Sequence, residues 1–151
     1  EVRLPIRGAH TVNDREMPDI NLQYIFAVAL IDRKVSFEAA HSFERMSDPK
    51  IVDLRSKITL VGDQALTDAR PEWQSIVQVE TTDGRTLKEH VVTFKGKAEN
   101  PLTTGEVVDK ASDLMEPILG KTQSDELIDA INNLDKLDSV RSLRTLLSVK
   151  D

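Results

Sequence analysis

The sequence predicts an α+β fold: a three-stranded antiparallel sheet, four-stranded if residues 2–6 join it, packed against helices in a two-layer, lid-type domain. Three observations carry this. Residues 20–31, INLQYIFAVALI, hold no charge and place apolar side chains on every side of a helical wheel, the pattern of a helix buried all round. Residues 75–94, SIVQVETTDGRTLKEHVVTF, are two β-rich runs about Asp83-Gly84, the signature of a hairpin. Helical patterns lie before and after the strands, without the strand–helix alternation of a parallel sheet.

Taken in order, residues 2–6 (VRLPI) suit an edge strand, because Pro5 would cost a ladder hydrogen bond in a central one. Residues 8–18 are polar and turn-rich, a loop leading to the start of the buried helix. Pro18 bars an earlier helix start, and the Asp19 carboxylate suits an N-cap. Ser36 caps a second helix in which Phe37, Ala40 and Met46 share a face. Asp48-Pro49 starts a third, with Asp as cap and Pro where an amide hydrogen has no partner anyway, running to about Arg55.

Residues 57–61 (KITLV) read as a strand. In the hairpin, a turn over Thr82-Asp83 with Gly84 left-handed pairs Val79 with Leu87 and Gln78 with Lys88, a bulged turn that suits the faces better than a plain two-residue loop. It turns Val77, Val79, Leu87 and Val91 to the core and Glu80, Lys88 and His90 outward. Thr103 and Glu106 form a capping box before Val107, Val108, Ala111, Leu114 and Met115. Pro117 loosens the last turn of that helix and Gly120 ends it; Thr122 with Asp125, and then Asp138, start the last two.

The chain has 151 residues, the size of one domain that can bury a real core. It has no cysteine, which excludes disulfides, thiolate metal sites and a cysteine nucleophile within it, and permits a reducing compartment; a cytoplasmic location is expected. No secretory signal is visible in EVRLPIRG, and the missing initiator Met suggests that Glu1 is not the natural start. The apolar run is shorter than the roughly 20 residues a membrane span needs. With 26 acidic against 20 basic residues, a net charge of -6 and no basic stripe, neither nucleic acid nor a membrane is expected as a partner.

No phosphate-binding glycine loop, zinc-protease helix or nucleophile elbow is present. The three histidines lack zinc-like spacing, so no metal site is expected. His90 reads as a solvated strand residue and His41 as the boundary of a short helix. His10 differs, lying in the polar loop with Asn13, Asp14 and Arg15. Tyr24 and Gln23 carry two readings. Either Tyr24 is a core aromatic with its hydroxyl satisfied and Gln23 bonds a neighbouring backbone group, or both stand at an electropositive helix start that can hold a carboxylate.

The order of several motifs adds a resemblance. Residues 17–58 (MPDINLQYIFAVALIDRKVSFEAAHSFERMSDPKIVDLRSKI), VQVETTDGRTL, KGKAENPLT and finally residues 116–147 (EPILGKTQSDELIDAINNLDKLDSVRSLRTLL) resemble the C-terminal part of the 2-methylcitrate dehydratase family, MmgE/PrpD. The likeness runs from about His10 to Leu147. Members include 2-methylcitrate dehydratase, cis-aconitate decarboxylase and iminodisuccinate epimerase. The resemblance implies a lid domain whose partner is an N-terminal helical domain of the same protein, which makes a homodimer and supplies most catalytic groups. It also implies proton removal next to a carboxylate of a small di- or tricarboxylic acid, with no metal and no other cofactor. The family's upstream lysine, cysteine and histidine motif has no counterpart here, so the chain is expected to begin after it and to be inactive alone. Tyr24 stands where the family carries a tyrosine before the buried helix and is the catalytic candidate; His10, Arg15, Asn21 and Gln23 are candidates for substrate contact, Arg15 as a carboxylate holder. A competing reading is a non-catalytic small-molecule binding or interaction module, since α+β sheets host many functions. The lid reading requires exposed surface around Tyr24 and His10 that needs a partner domain; a self-contained module requires that surface to be closed.

Overall fold

The computed structural model describes residues 1–10 and 17–149. The chain falls into two compact units, residues 1–100 and 101–151. The first holds a four-stranded sheet with strands β1 (Val2–Pro5), β2 (Leu60–Asp63), β3 (Ser75–Glu80) and β4 (Thr86–Val91), in the order β2-β1-β3-β4. Its helices are α1 (Ile6–His10), α2 (Leu22–Asp32), α3 (Phe37–His41), α4 (Phe43–Met46), α5 (Pro49–Ser56) and α6 (Gln64–Asp68). The class is α+β, as the sequence predicts.

The sheet is mixed. β1 pairs parallel with β2 and antiparallel with β3, so it is central rather than an edge. Pro5 is tolerated because it is the last residue of β1 and faces only Asp63; pairing with β3 ends at Arg3, before the missing amide hydrogen could matter. β2 starts at Leu60, later than the apolar run suggests, and its Gly62 meets α1: a Cβ there would lie 3.2 Å from the Ile6 Cα. Val2, Ala9 and Leu66 fill a small core between β1, α1 and α6.

The hairpin follows the expected register, Gln78 opposite Lys88 and Val79 opposite Leu87. Gly84 has φ +84° and donates its N–H to the Thr81 carbonyl at 2.9 Å, the bulged turn that register requires. The outer end of the expected core face does not hold: Leu87 is 52% exposed and Val91 half-buried. Leu30, Leu54 and Ile58 share a hollow with Val79 of β3, whereas β4 lies one strand farther out.

The main core joins Tyr24, Ala27 and Val28 of α2 to Met46 and Ile51, with Ile25, Ala39, Leu54 and Ile58 packed against them. Fully buried Val28 and Ile51 each contribute about 1.5–3 kcal/mol. α2 is not buried all round: α5 covers one side, five of its residues are half-buried, and Leu30 and Ile31 in the last turn are exposed. Ser42 divides the expected second helix by capping α4 through its Oγ and the Arg45 N–H. Arg45 then donates to Asp32 and Asp48, both at 2.6 Å, tying the end of α2 to the cap of α5.

In the second unit, α7 (Thr104–Leu119) starts at the expected capping box. α8 (Lys121–Asn132) follows directly after Gly120, with no side-chain cap from Thr122, and α9 (Leu143–Leu146) packs on it. Buried Gln123 donates its Nε2 hydrogens to the Leu146 and Ser148 carbonyls, each at 2.9 Å, and so holds the chain end on α8. No helix among the described residues is long and apolar enough to cross a membrane.

The two glycines fail for different reasons when replaced. Gly84→Ala meets no atom within 4 Å and is expected to lose about 1 kcal/mol from backbone strain alone. Gly62→Ala, whose φ lies outside the left-handed region, is expected to destabilise by pushing α1 off β2. Urea denaturation reads both losses; only Gly62→Ala should also deprotect the amides of α1 from hydrogen exchange.

Candidate functional site

Three of the site residues named from the sequence, Asn21, Gln23 and Tyr24, lie at the start of α2. A 3-10 turn, Pro18–Ile20, precedes the helix, and its wholly buried Pro18 fixes the approach of the chain. The cap is Asn21, not Asp19. The Asn21 amide donates to the Pro18 carbonyl at 3.2 Å, which sets its extended backbone, and its Oδ1 accepts from the Tyr24 N–H at 2.9 Å. Asn21 is 0% exposed, so its amide is a positioning group rather than one offered to solvent.

Tyr24 is also 0% exposed, and its hydroxyl donates to the Ala39 carbonyl in α3. Gln23 is half-buried and donates to the Ile58 carbonyl at 2.6 Å. Of the two readings the sequence allowed, these contacts fit the first: a core aromatic with its hydroxyl satisfied, and a glutamine spent on backbone. Arg15 lies outside the described residues. His10 is the last residue of α1, and its side chain lies outside the described part of the structure. On either side of residues 11–16, α1 packs against β2, and Pro18 and Asn21 are buried at the start of α2.

The surroundings divide. Tyr24 is closed, yet Met17 is 53% and Phe37 53% exposed, and the 3-10 turn packs beside α3. The exposed apolar surface is thus next to Tyr24 rather than at it. His41, at the end of α3, is spent on Phe37, stacking on its ring at 4.2 Å and bonding its carbonyl through Nδ1 at 2.7 Å. His90 is exposed, as expected, but its Nε2 also meets the buried Gln74 Oε1 at 2.8 Å. Gln74 escaped the sequence reading, because nothing in RPEWQ marks a buried amide.

Three of the hollows on the described surface hold charged groups. One, with Glu38, Ser42, Glu44, Arg45 and Asp48, has three carboxylates and an arginine already bound to two acids. The second has Lys57, paired with Asp53, and the third has Lys121, paired with Glu116 and Asp125. None offers two cations to a polycarboxylate. Among the described residues no group of His, Asp or Glu side chains is arranged to hold a metal ion.

Burial pushes the Tyr24 phenol above its ordinary value, an effect Arg45 opposes and Asp32 reinforces. The neutral form is therefore favoured by folding. This contribution is complete below pH about 10, where unfolded tyrosine ionises, and is lost as pH rises through the higher folded value. Tyr24 is the only tyrosine of the chain, so its tyrosinate absorbance should appear late and together with alkaline unfolding. Tyr24→Phe is expected to lower stability by about 1–3 kcal/mol in urea, by leaving the Ala39 carbonyl without its donor, and to flatten the alkaline loss.

Residues 3–136 match the family model of the MmgE/PrpD C-terminal domain. A C-terminal domain of this family implies an N-terminal domain in the same chain, and the match supports a dehydratase-like parent. With most of its length matched, the chain belongs to the MmgE/PrpD family as its C-terminal domain.

Proposed function

We propose that this chain is the lid of a metal-free lyase or isomerase resembling 2-methylcitrate dehydratase, which removes a proton next to a carboxylate of a small di- or tricarboxylic acid. The observation that carries the reading is the match to the family's C-terminal domain over residues 3–136. The exposed apolar residues Met17, Ile20 and Phe37, beside the start of α2, support a partner domain over that surface. In this proposal the N-terminal domain supplies the base and makes a homodimer, in the cytoplasm.

Proton loss from carbon leaves an electron pair on the adjacent carboxylate, as an enolate, so the site needs a base at the proton and cations or donors at the developing charge. The lid's part is to close, exclude water and complete those donors. Arg15 of the loop would hold a substrate carboxylate and His10 would donate to one, as the family resemblance suggests. Asn21, Gln23 and Tyr24 were named as contacts, Tyr24 as catalytic. Their bonds to backbone favour a positioning role, fixing where the loop ends; direct contact by Tyr24 requires its hydroxyl to leave the Ala39 carbonyl on closure.

The test is turnover of the complete protein on a panel of small polycarboxylates. Arg15→Gln is expected to raise KM about tenfold or more, by removing a charged bond to a carboxylate, and to leave the fold intact. Tyr24→Phe separates its two roles: a change in kcat within a few-fold marks positioning, and a loss of about a hundredfold or more marks proton transfer. Absence of turnover on every polycarboxylate, or unchanged kinetics in both variants and in His10→Ala, overturns the proposal.

A further inference from the structure

The free edge of the sheet carries a self-complementary pattern. β4 ends the strand order, and Thr86 to His90 are all exposed. Its unpaired backbone groups can be assigned from the ladder. The Gln78 N–H and carbonyl both bond Glu1, each at 2.8 Å, so Gln78 faces β1 and its neighbours Val77 and Val79 face β4. Their partners Glu89 and Leu87 therefore face β3, which leaves the backbone groups of Thr86 and Lys88 directed to the open edge.

We propose that this edge pairs with β4 of a second copy, antiparallel about a two-fold axis at Leu87. In that register Thr86 meets Lys88 of the second copy, and the two exchange backbone hydrogen bonds, with the symmetric pair doing the same. Leu87, 52% exposed, meets its own counterpart. Arg85 meets Glu89 of the second copy on the same face as Leu87, twice by symmetry. Arg85 is exposed and donates its Nε hydrogen to Asp83 at 2.8 Å.

Two nearby registers are opposed by charge. Centring the pair on Lys88 sets lysine against lysine, and centring it on Glu89 sets glutamate against glutamate, both unfavourable directly across a ladder. The Leu87 register alone of these three joins unlike charges around an apolar centre. Only about five residues of each strand take part, so the association is weak and depends on concentration.

Sedimentation velocity of the complete protein over a concentration series tests this, with any interface of the N-terminal domain common to all samples. The wild type is expected to gain a concentration-dependent step in mass. Arg85→Glu and Glu89→Arg should each weaken that step roughly tenfold by setting like charges opposite. The double variant, and an equimolar mixture of the two single variants, should restore it. A single cysteine, Leu87→Cys, in protein whose other cysteines are serine, should cross-link two copies on mild oxidation, because the facing Cα atoms of such a pair lie about 4.5 Å apart. Equal mass at every concentration in the wild type, no difference between the single and double variants, or no cross-link at Leu87→Cys overturns the inference.

Discussion

Much of the first unit depends on one constraint, the anchoring of the first turn of α2. Tyr24 is wholly buried, and a phenol taken out of water must find a partner; it finds the Ala39 carbonyl, which fixes α3 over the helix. Below it Ile51 brings in α5, and Ile58, whose carbonyl accepts from Gln23, carries the chain on toward β2. The charged clamp of Arg45 on Asp32 and Asp48 holds the other end. Pro18 and Asn21 are buried at the same point, so core packing sets where the chain enters α2.

This arrangement bears on function through its division of labour. Residues adjacent in sequence at the start of a helix can all look like ligands, since a helix N-terminus favours anions. Here the cap oxygen, the tyrosine hydroxyl and the glutamine amide are each engaged with backbone. What these described atoms supply is rigidity, and three of the described hollows are acidic or hold single, paired lysines. The net charge of -6 does not oppose binding of a polyanion, because local cations and not the total decide it.

The sequence made the local features legible. The hairpin register followed from Gly84 and from the alternation of faces, and the caps at Ser36, Asp48 and Thr103 from side chains that satisfy free amide hydrogens. What it hid was non-local. The central place of β1 depends on a parallel partner nearly sixty residues away and on the position of Pro5 within the strand. The short helices α1 and α6 have no amphipathic period to read, and Ser42 interrupts a helix by offering a better cap than continuation. Asp19 and Asn21 are equally good caps on paper; the 3-10 turn from Pro18 decides between them. Of the candidate site, the position of Asn21, Gln23 and Tyr24 together was legible from adjacency, but not that their polar atoms would face inward.

The most direct test is solvent isotope exchange by the complete wild-type protein. Small di- and tricarboxylic acids are incubated with it in deuterium oxide containing a chelator, and proton NMR follows the hydrogens next to each carboxylate. At least one acid is expected to lose such a hydrogen, by exchange or turnover, at a rate the chelator does not change. No exchange above the protein-free rate with any acid, or exchange abolished by the chelator, would contradict the proposal.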